Sequence, residues 1–97
     1  MKAVFISYNQ AHTLEVNTML DKLEIRGFTR WALTEGRGST DGEPHFATHA
    51  WPSMNSSILT FVDEGKVAPL MEALRKLDAE APQQGLRAFV LDAHEGM

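Results

Sequence analysis

The chain is expected to fold as an α+β sandwich, a four-stranded antiparallel sheet with two helices on one of its faces. Three observations predict this. Four short runs are rich in β-branched and aromatic residues, and two further stretches carry a helical period. The order is strand, helix, strand, strand, helix, strand. Each strand–helix–strand unit takes a right-handed crossover, which puts both helices on the same side of the sheet.

The elements follow in order. Lys2 to Tyr8 (KAVFISY) is a buried strand, broken by Asn9 and Gln10. From Ala11 the period changes. Val16, Met19, Leu20 and Leu23 fall at i, i+3, i+4 and i+7, with Glu15, Asp21, Lys22 and Glu24 off that stripe. Gly27 is the expected helix stop. Phe28 to Glu35 is a two-faced strand, with Thr29, Trp31 and Leu33 on one side and Phe28, Arg30 and Ala32 on the other. Ser57 to Val62 is the third strand. Asp63 is positioned to cap a second helix, in which Val67, Leu70, Met71 and Leu74 repeat the stripe. Pro69 is expected in or near its first turn, where a missing N–H is tolerated. Ala81-Pro82 ends that helix, Gln83 to Gly85 turn, and Leu86 to Asp92 is the fourth strand. The tail after Asp92 is expected to be mobile or ordered only in an oligomer.

This element order is that of the ferredoxin-like sandwich, with residues 1–97 forming one domain. Two short helices cover only one sheet face. Phe5, Trp31, Phe61 and Phe89 cannot all lie beneath them, so an apolar face is left over and self-association is expected.

Composition narrows the function. Nine Lys and Arg stand against 13 Asp and Glu, for a net charge of −4. Nonspecific nucleic-acid binding needs a basic face, so it is not expected. There is no cysteine, which removes disulfides, thiolate ligands and cysteine nucleophiles. No run is long and apolar enough to be a signal core or a membrane span, and a cytoplasmic location is the expectation.

Gly36 to Asn55 has neither helical nor strand period and separates the second and third strands. Long connections in small domains are usually binding loops, lids or disorder. This one carries Phe46, Trp51, two histidines and two prolines, which is not a simple disorder composition.

The architecture and the loop together resemble the PII signal-transduction superfamily. The resemblance is strongest from Arg26-Gly27-Phe28-Thr29 through Glu35-Gly36-Arg37-Gly38. PII proteins likewise have a helix-ending glycine, a strand, and a Gly/Arg turn that opens the T-loop. Gly42-Glu43-Pro44-His45 and His49-Ala50-Trp51-Pro52 are similar to motifs of the short PII-like proteins found beside heavy-metal efflux systems. The resemblance implies a homotrimer with its sheets packed around the axis. It implies ligand clefts between subunits at the loop bases, and a protein partner, such as an efflux transporter or regulator, that reads the loop. The chain departs from the pattern in three places. Glu80 to Arg87, where the family has a Gly-rich phosphate cradle, holds one glycine and no lysine, which argues against standard ATP or ADP sensing. The only tyrosine is Tyr8, so a loop-tyrosine modification switch is not expected. The chain also stops soon after the fourth strand, short of the longer tail that helps cover the nucleotide.

Within the loop, His45 and His49 are the candidate metal ligands, with Glu43 as an added oxygen ligand for zinc, copper or nickel. A helical turn would put both imidazoles on one side. An extended segment would hold them roughly 13 Å apart, too far to share an ion. The plainer alternative leaves both in solvent. Gly36, Arg37 and Gly38 are the candidate effector cradle, with Arg87 facing the same cleft. The alternatives are a simple turn and a strand-edge salt bridge. Trp51 is expected to anchor the returning loop.

No catalytic arrangement is evident, and an enzyme is not expected. Two other readings remain. One is a divalent-metal tolerance protein resembling the CutA family, although that family's cysteine pattern is absent. The other is a small cofactor-free enzyme, for which a dimer with a closed cavity would be the sign.

Overall fold

The structure is a computed structural model and describes residues 1–36 and 54–97. Its elements are β1 (Lys2–Asn9), α1 (Thr13–Lys22), β2 (Phe28–Thr34), β3 (Asn55–Val62), α2 (Glu64–Glu80) and β4 (Arg87–Asp92). Short 3₁₀ helices at Gln10–His12 and Pro82–Gln84 follow β1 and α2. The four strands form one antiparallel sheet in the order β2-β3-β1-β4. The expected sandwich is therefore present.

Strand alternation sorts the side chains. Val4, Ile6 and Tyr8 on β1 and Ile58 on β3 turn toward the helices and are fully buried. Val16 and Leu20 of α1 and Leu70 and Leu74 of α2 close over them. Met19, Leu23, Val67 and Met71 sit at the edge of this core, which completes both predicted stripes. The other face is uncovered. Cross-strand partners share a face, so Phe5 stands level with Leu59 and Phe89, and Ala3 with Phe61 and Leu91. Phe89 is 60% exposed, Phe61 55% and Trp31 48%. The four aromatic residues named from sequence all belong to this open face.

Three local expectations are corrected. Gly27 does not end α1. The helix closes on Leu23, and Glu24 takes the left-handed conformation at φ 57°. The amide of Glu24 donates to the Asp21 carbonyl at 3.0 Å, and that of Ile25 to the Leu20 carbonyl at 2.9 Å, the two bonds of a Schellman motif. Lys66 Nζ reinforces this end, donating to the carbonyls of Leu23 at 2.7 Å and Glu24 at 3.1 Å. The motif overrides the residue preference because Ile25, 4% exposed, is thereby swung into the core. Pro69 lies inside α2, past its first turn, because the helix starts at Glu64. Asp63 occupies the N-cap position but makes no side-chain cap bond; its carbonyl accepts from the Lys66 amide at 2.9 Å.

β2 carries a one-residue irregularity. Trp31 pairs with Ser57, but Thr34 pairs with Asn55. The extra residue bends the strand just before it enters the loop.

Candidate functional site

The open face changes character along its length. At the end where β1 finishes and β3 starts, the register places Trp31, Ser57, Ser7 and Arg87 in one row across all four strands. The next row holds Thr34, Asn55 and Asn9. The apolar rows thus give way to hydroxyls, amides and one guanidinium where the loop leaves and returns.

These polar groups are interlocked. Asn55 Nδ2 donates to Ser7 Oγ at 3.3 Å, and the hydroxyls of Thr34 and Ser57 share a 2.9 Å hydrogen bond. Asn9 accepts from the Ala11 amide at 2.9 Å through Oδ1, capping the first 3₁₀ helix, and donates through Nδ2 to Gln84 Oε1. The Gln10 amide donates to the Met54 carbonyl at 2.8 Å. The loop therefore returns onto β1 and the turn before β4 at one place. Asn9, Asn55 and Ser57 are buried. Buried amides with satisfied partners are rigid, directional donors and acceptors, suited to orienting a small polar ligand.

Gly36 lies against this cluster. A Cβ there would come within 2.9 Å of Asn55 Nδ2, so glycine is needed for the close approach. Of the predicted effector residues, Gly36 and Arg87 are at the polar end. Arg87 is half-buried, and its Nη1 donates to the Leu86 carbonyl at 2.6 Å. Arg37 and Gly38 lie outside the described residues, as do Glu43, His45, His49 and Trp51. Among the described residues there is no group of three or more metal-ligating side chains. The segment after α2 forms a 3₁₀ turn closed by Gly85 at φ 73°, whose amide is taken by the Pro82 carbonyl at 3.3 Å.

Sequence reasoning missed Ser7, Asn9, Asn55 and Ser57. Single polar residues at strand ends are common, and only the register brings these four together. The available signal was position: Asn9 closes the first strand, and Asn55 is the last residue of the loop stretch, where β3 begins.

A four-stranded sheet with this order, an open apolar face and a long β2–β3 connection defines the class, a ferredoxin-like domain of PII-like architecture. The solved structures it is similar to agree. CPII, a nitrogen regulatory PII-like protein of Thiomonas intermedia K12 bound to ADP, AMP and bicarbonate, matches with a TM-score of 0.78 at 23% identity, over 99% of this chain and 88% of that one. A second structure of CPII with the same ligands gives 0.72 at 26% identity, over 98% and 93%. A candidate PII-like signaling protein of Thermus thermophilus gives 0.65 at 21% identity, over 93% and 83%. No family model matches the chain, and no curated sequence matches it. The fold is that of PII-like proteins; the heavy-metal efflux subgroup finds no counterpart among these matches. Among the described residues no helix is long and apolar enough to cross a membrane.

Proposed function

We propose that this chain is a PII-like regulatory protein that works as a homotrimer. The open sheet faces pack around the trimer axis, a small effector binds at the polar end of each face, and the 36–55 loop reports occupancy to a protein partner. The observation that carries this reading is the graded open face: aromatic rows suited to assembly run into a hydrogen-bonded polar row at the loop base. A ligand that contacts the ordered loop better than the free one shifts its population, and that shift is the signal.

CPII binds ADP, AMP and bicarbonate, so adenine nucleotides and small oxyanions are the first effectors to try. Arg87 would supply the charge and Ser7 and Asn55 the orientation. This reopens the nucleotide reading despite the single glycine after α2. The metal reading rests on His45, His49 and Glu43 in the loop sequence, and an efflux partner rests on the loop motifs. The role proposed is regulation, without turnover, in the cytoplasm.

Native mass spectrometry of the metal-stripped protein is the test, alone and after adding ADP, AMP, bicarbonate or zinc in turn. A trimer gaining one ligand per subunit supports the reading, and the ligand retained separates nucleotide from metal sensing. A trimer that gains zinc equally after His45→Ala plus His49→Ala would end the metal version. A monomer or dimer that binds none of these would end the proposal.

A further inference from the structure

A recess of about 250 Å³ lies between α2 and β4, on the helix-facing side of the sheet. Arg75, Asp78 and Leu74 of α2 line one wall, and Leu86, Arg87 and Ala88 the other. Leu74 and Leu86 are buried and make its floor apolar.

Its polar groups are unmatched. Asp78 Oδ1 is buried, with no hydrogen-bond partner among the described residues. A buried carboxylate oxygen without a donor calls for an explanation, because native structures leave few of them. Arg75 lines the same recess from α2, and Arg87 borders it from β4. Neither Arg75 nor Arg87 is within ion-pair distance of a carboxylate among the described residues, where the pairs are Lys2–Asp92 and His12–Glu15. Arg75 sits three residues before Asp78 on α2, close enough to pair, yet the two do not. Arg87 commits Nη1 to the Leu86 carbonyl and keeps further N–H groups. The recess thus presents an acceptor without a partner, the unpaired cation of Arg75 and an apolar floor.

We propose that this recess binds a small zwitterion of the amino-acid class. The ligand ammonium donates to Asp78 Oδ1, its carboxylate takes the guanidinium of Arg75, and its side chain lies on Leu74 and Leu86. A water molecule would satisfy the oxygen but would leave the opposite charges unemployed. The site does not depend on the loop-base reading. Arg87 is left to the polar row, where its register partner Ser7 lies.

The experiment is a titration of the full-length ¹⁵N-labelled protein with leucine, methionine and glutamine, followed by amide shifts. Isoamylamine and 4-methylpentanoate serve as single-charge controls. The expected result is saturable shifts at Asp78, Leu86 and Ala88 with at least one amino acid, and binding weaker by about tenfold or more with either control. Asp78→Asn and Arg75→Gln should each weaken binding by about tenfold or more. Asp78→Asn should also leave the ligand-free protein about as heat-stable as the parent, since Oδ1 has no partner to lose among the described residues. Three results would each overturn the proposal: no saturation by any of the three amino acids up to about 10 mM; equal binding of isoamylamine or unchanged affinity in Asp78→Asn, which would make the site nonspecific; or a change of oligomeric mass in Asp78→Asn, which would make the recess a subunit contact.

Discussion

Arg30 donates from Nε to the hydroxyl of Tyr8 at 3.0 Å, tying the β2 edge strand to the fully buried ring of the chain's only tyrosine. The rest of the guanidinium is held by Asn17 Oδ1 and lies 5.0 Å from the Phe28 ring centroid. Thr13 Oγ1 also approaches the Tyr8 hydroxyl, at 3.5 Å. Strand β1, helix α1 and strand β2 meet at this one oxygen. Tyr8→Phe would keep the ring volume but leave a half-buried cation short of an acceptor. The expected loss is about 1–3 kcal/mol, read from urea denaturation midpoints at unchanged slope. A loss below about 0.3 kcal/mol would mean that water replaces the hydroxyl without cost.

Glu24 holds a left-handed conformation that glycine adopts without strain. Glu24→Gly should therefore stabilise the protein by up to about 1 kcal/mol. Lys66→Met should act in the opposite direction, since it removes the donor to the Leu23 and Glu24 carbonyls at the C-terminal end of α1 while keeping an aliphatic stem. A loss of about 1 kcal/mol is expected. Thermal melts of the two single variants and the double variant would show whether the effects couple, as neighbouring groups should.

Phe61 and Phe89 stand in adjacent apolar rows of the open face, and each is more than half exposed. Phe89→Glu should convert the proposed trimer to monomer, with its circular dichroism retained. Sedimentation velocity reads the outcome directly. A trimer that survives both Phe89→Glu and Phe61→Glu would place the subunit contact elsewhere.

Gly36→Ala should disturb the loop base and little else. The added methyl meets the Asn55 amide nitrogen at 2.9 Å, and Asn55 has little room to yield because it is buried. The Asn55–Ser7 contact should weaken, and effector affinity should fall with only a small change in melting temperature. Amide shifts confined to Ser7, Asn9 and Asn55 would check this.

Lys2 and Asp92 pair across the β1–β4 edge. The hydrogen bond from Lys2, then its charge, holds the Asp92 carboxyl below the ordinary aspartate value, and Lys2 is raised for the same two reasons. For the carboxyl, the contribution is present above its unfolded pKa and is lost as pH falls through the folded value. For the amine, it is present below its unfolded pKa and is lost as pH rises through the folded one. The pair therefore acts fully between about pH 4 and about pH 10. Both groups are in solvent, so the effect is small and screened by salt. Lys2→Met should match the parent at about pH 2 and differ from it slightly at neutral pH and low salt.

The sheet and its faces were legible in the sequence because strand alternation is local. Phe5, Trp31, Phe61 and Phe89 could be assigned to an uncovered face by counting what two helices can cover. Helix ends were less legible. Gly27 is the better left-handed residue, but the core's demand for Ile25 placed the turn at Glu24 instead. Asp63 marked the start of α2 correctly, although its side chain forms no cap bond, and Pro69, expected in or near the first turn, lies just past it. At the loop base, Gly36 and Arg87 stood out through residue type. Ser7, Asn9 and Asn55 did not, because their meaning lies in cross-strand register over long sequence separations. The Tyr8–Arg30 contact was hidden for the same reason.

The grading of the open face has a thermodynamic corollary. Aromatic rows and polar row share one strand set, so whatever orders the polar end also stiffens the surface beside it. On the proposed reading, subunit association and effector binding are linked equilibria, each strengthening the other by the same factor. Dilution should loosen the ligand, and ligand should hold the assembly together at concentrations where the empty protein falls apart.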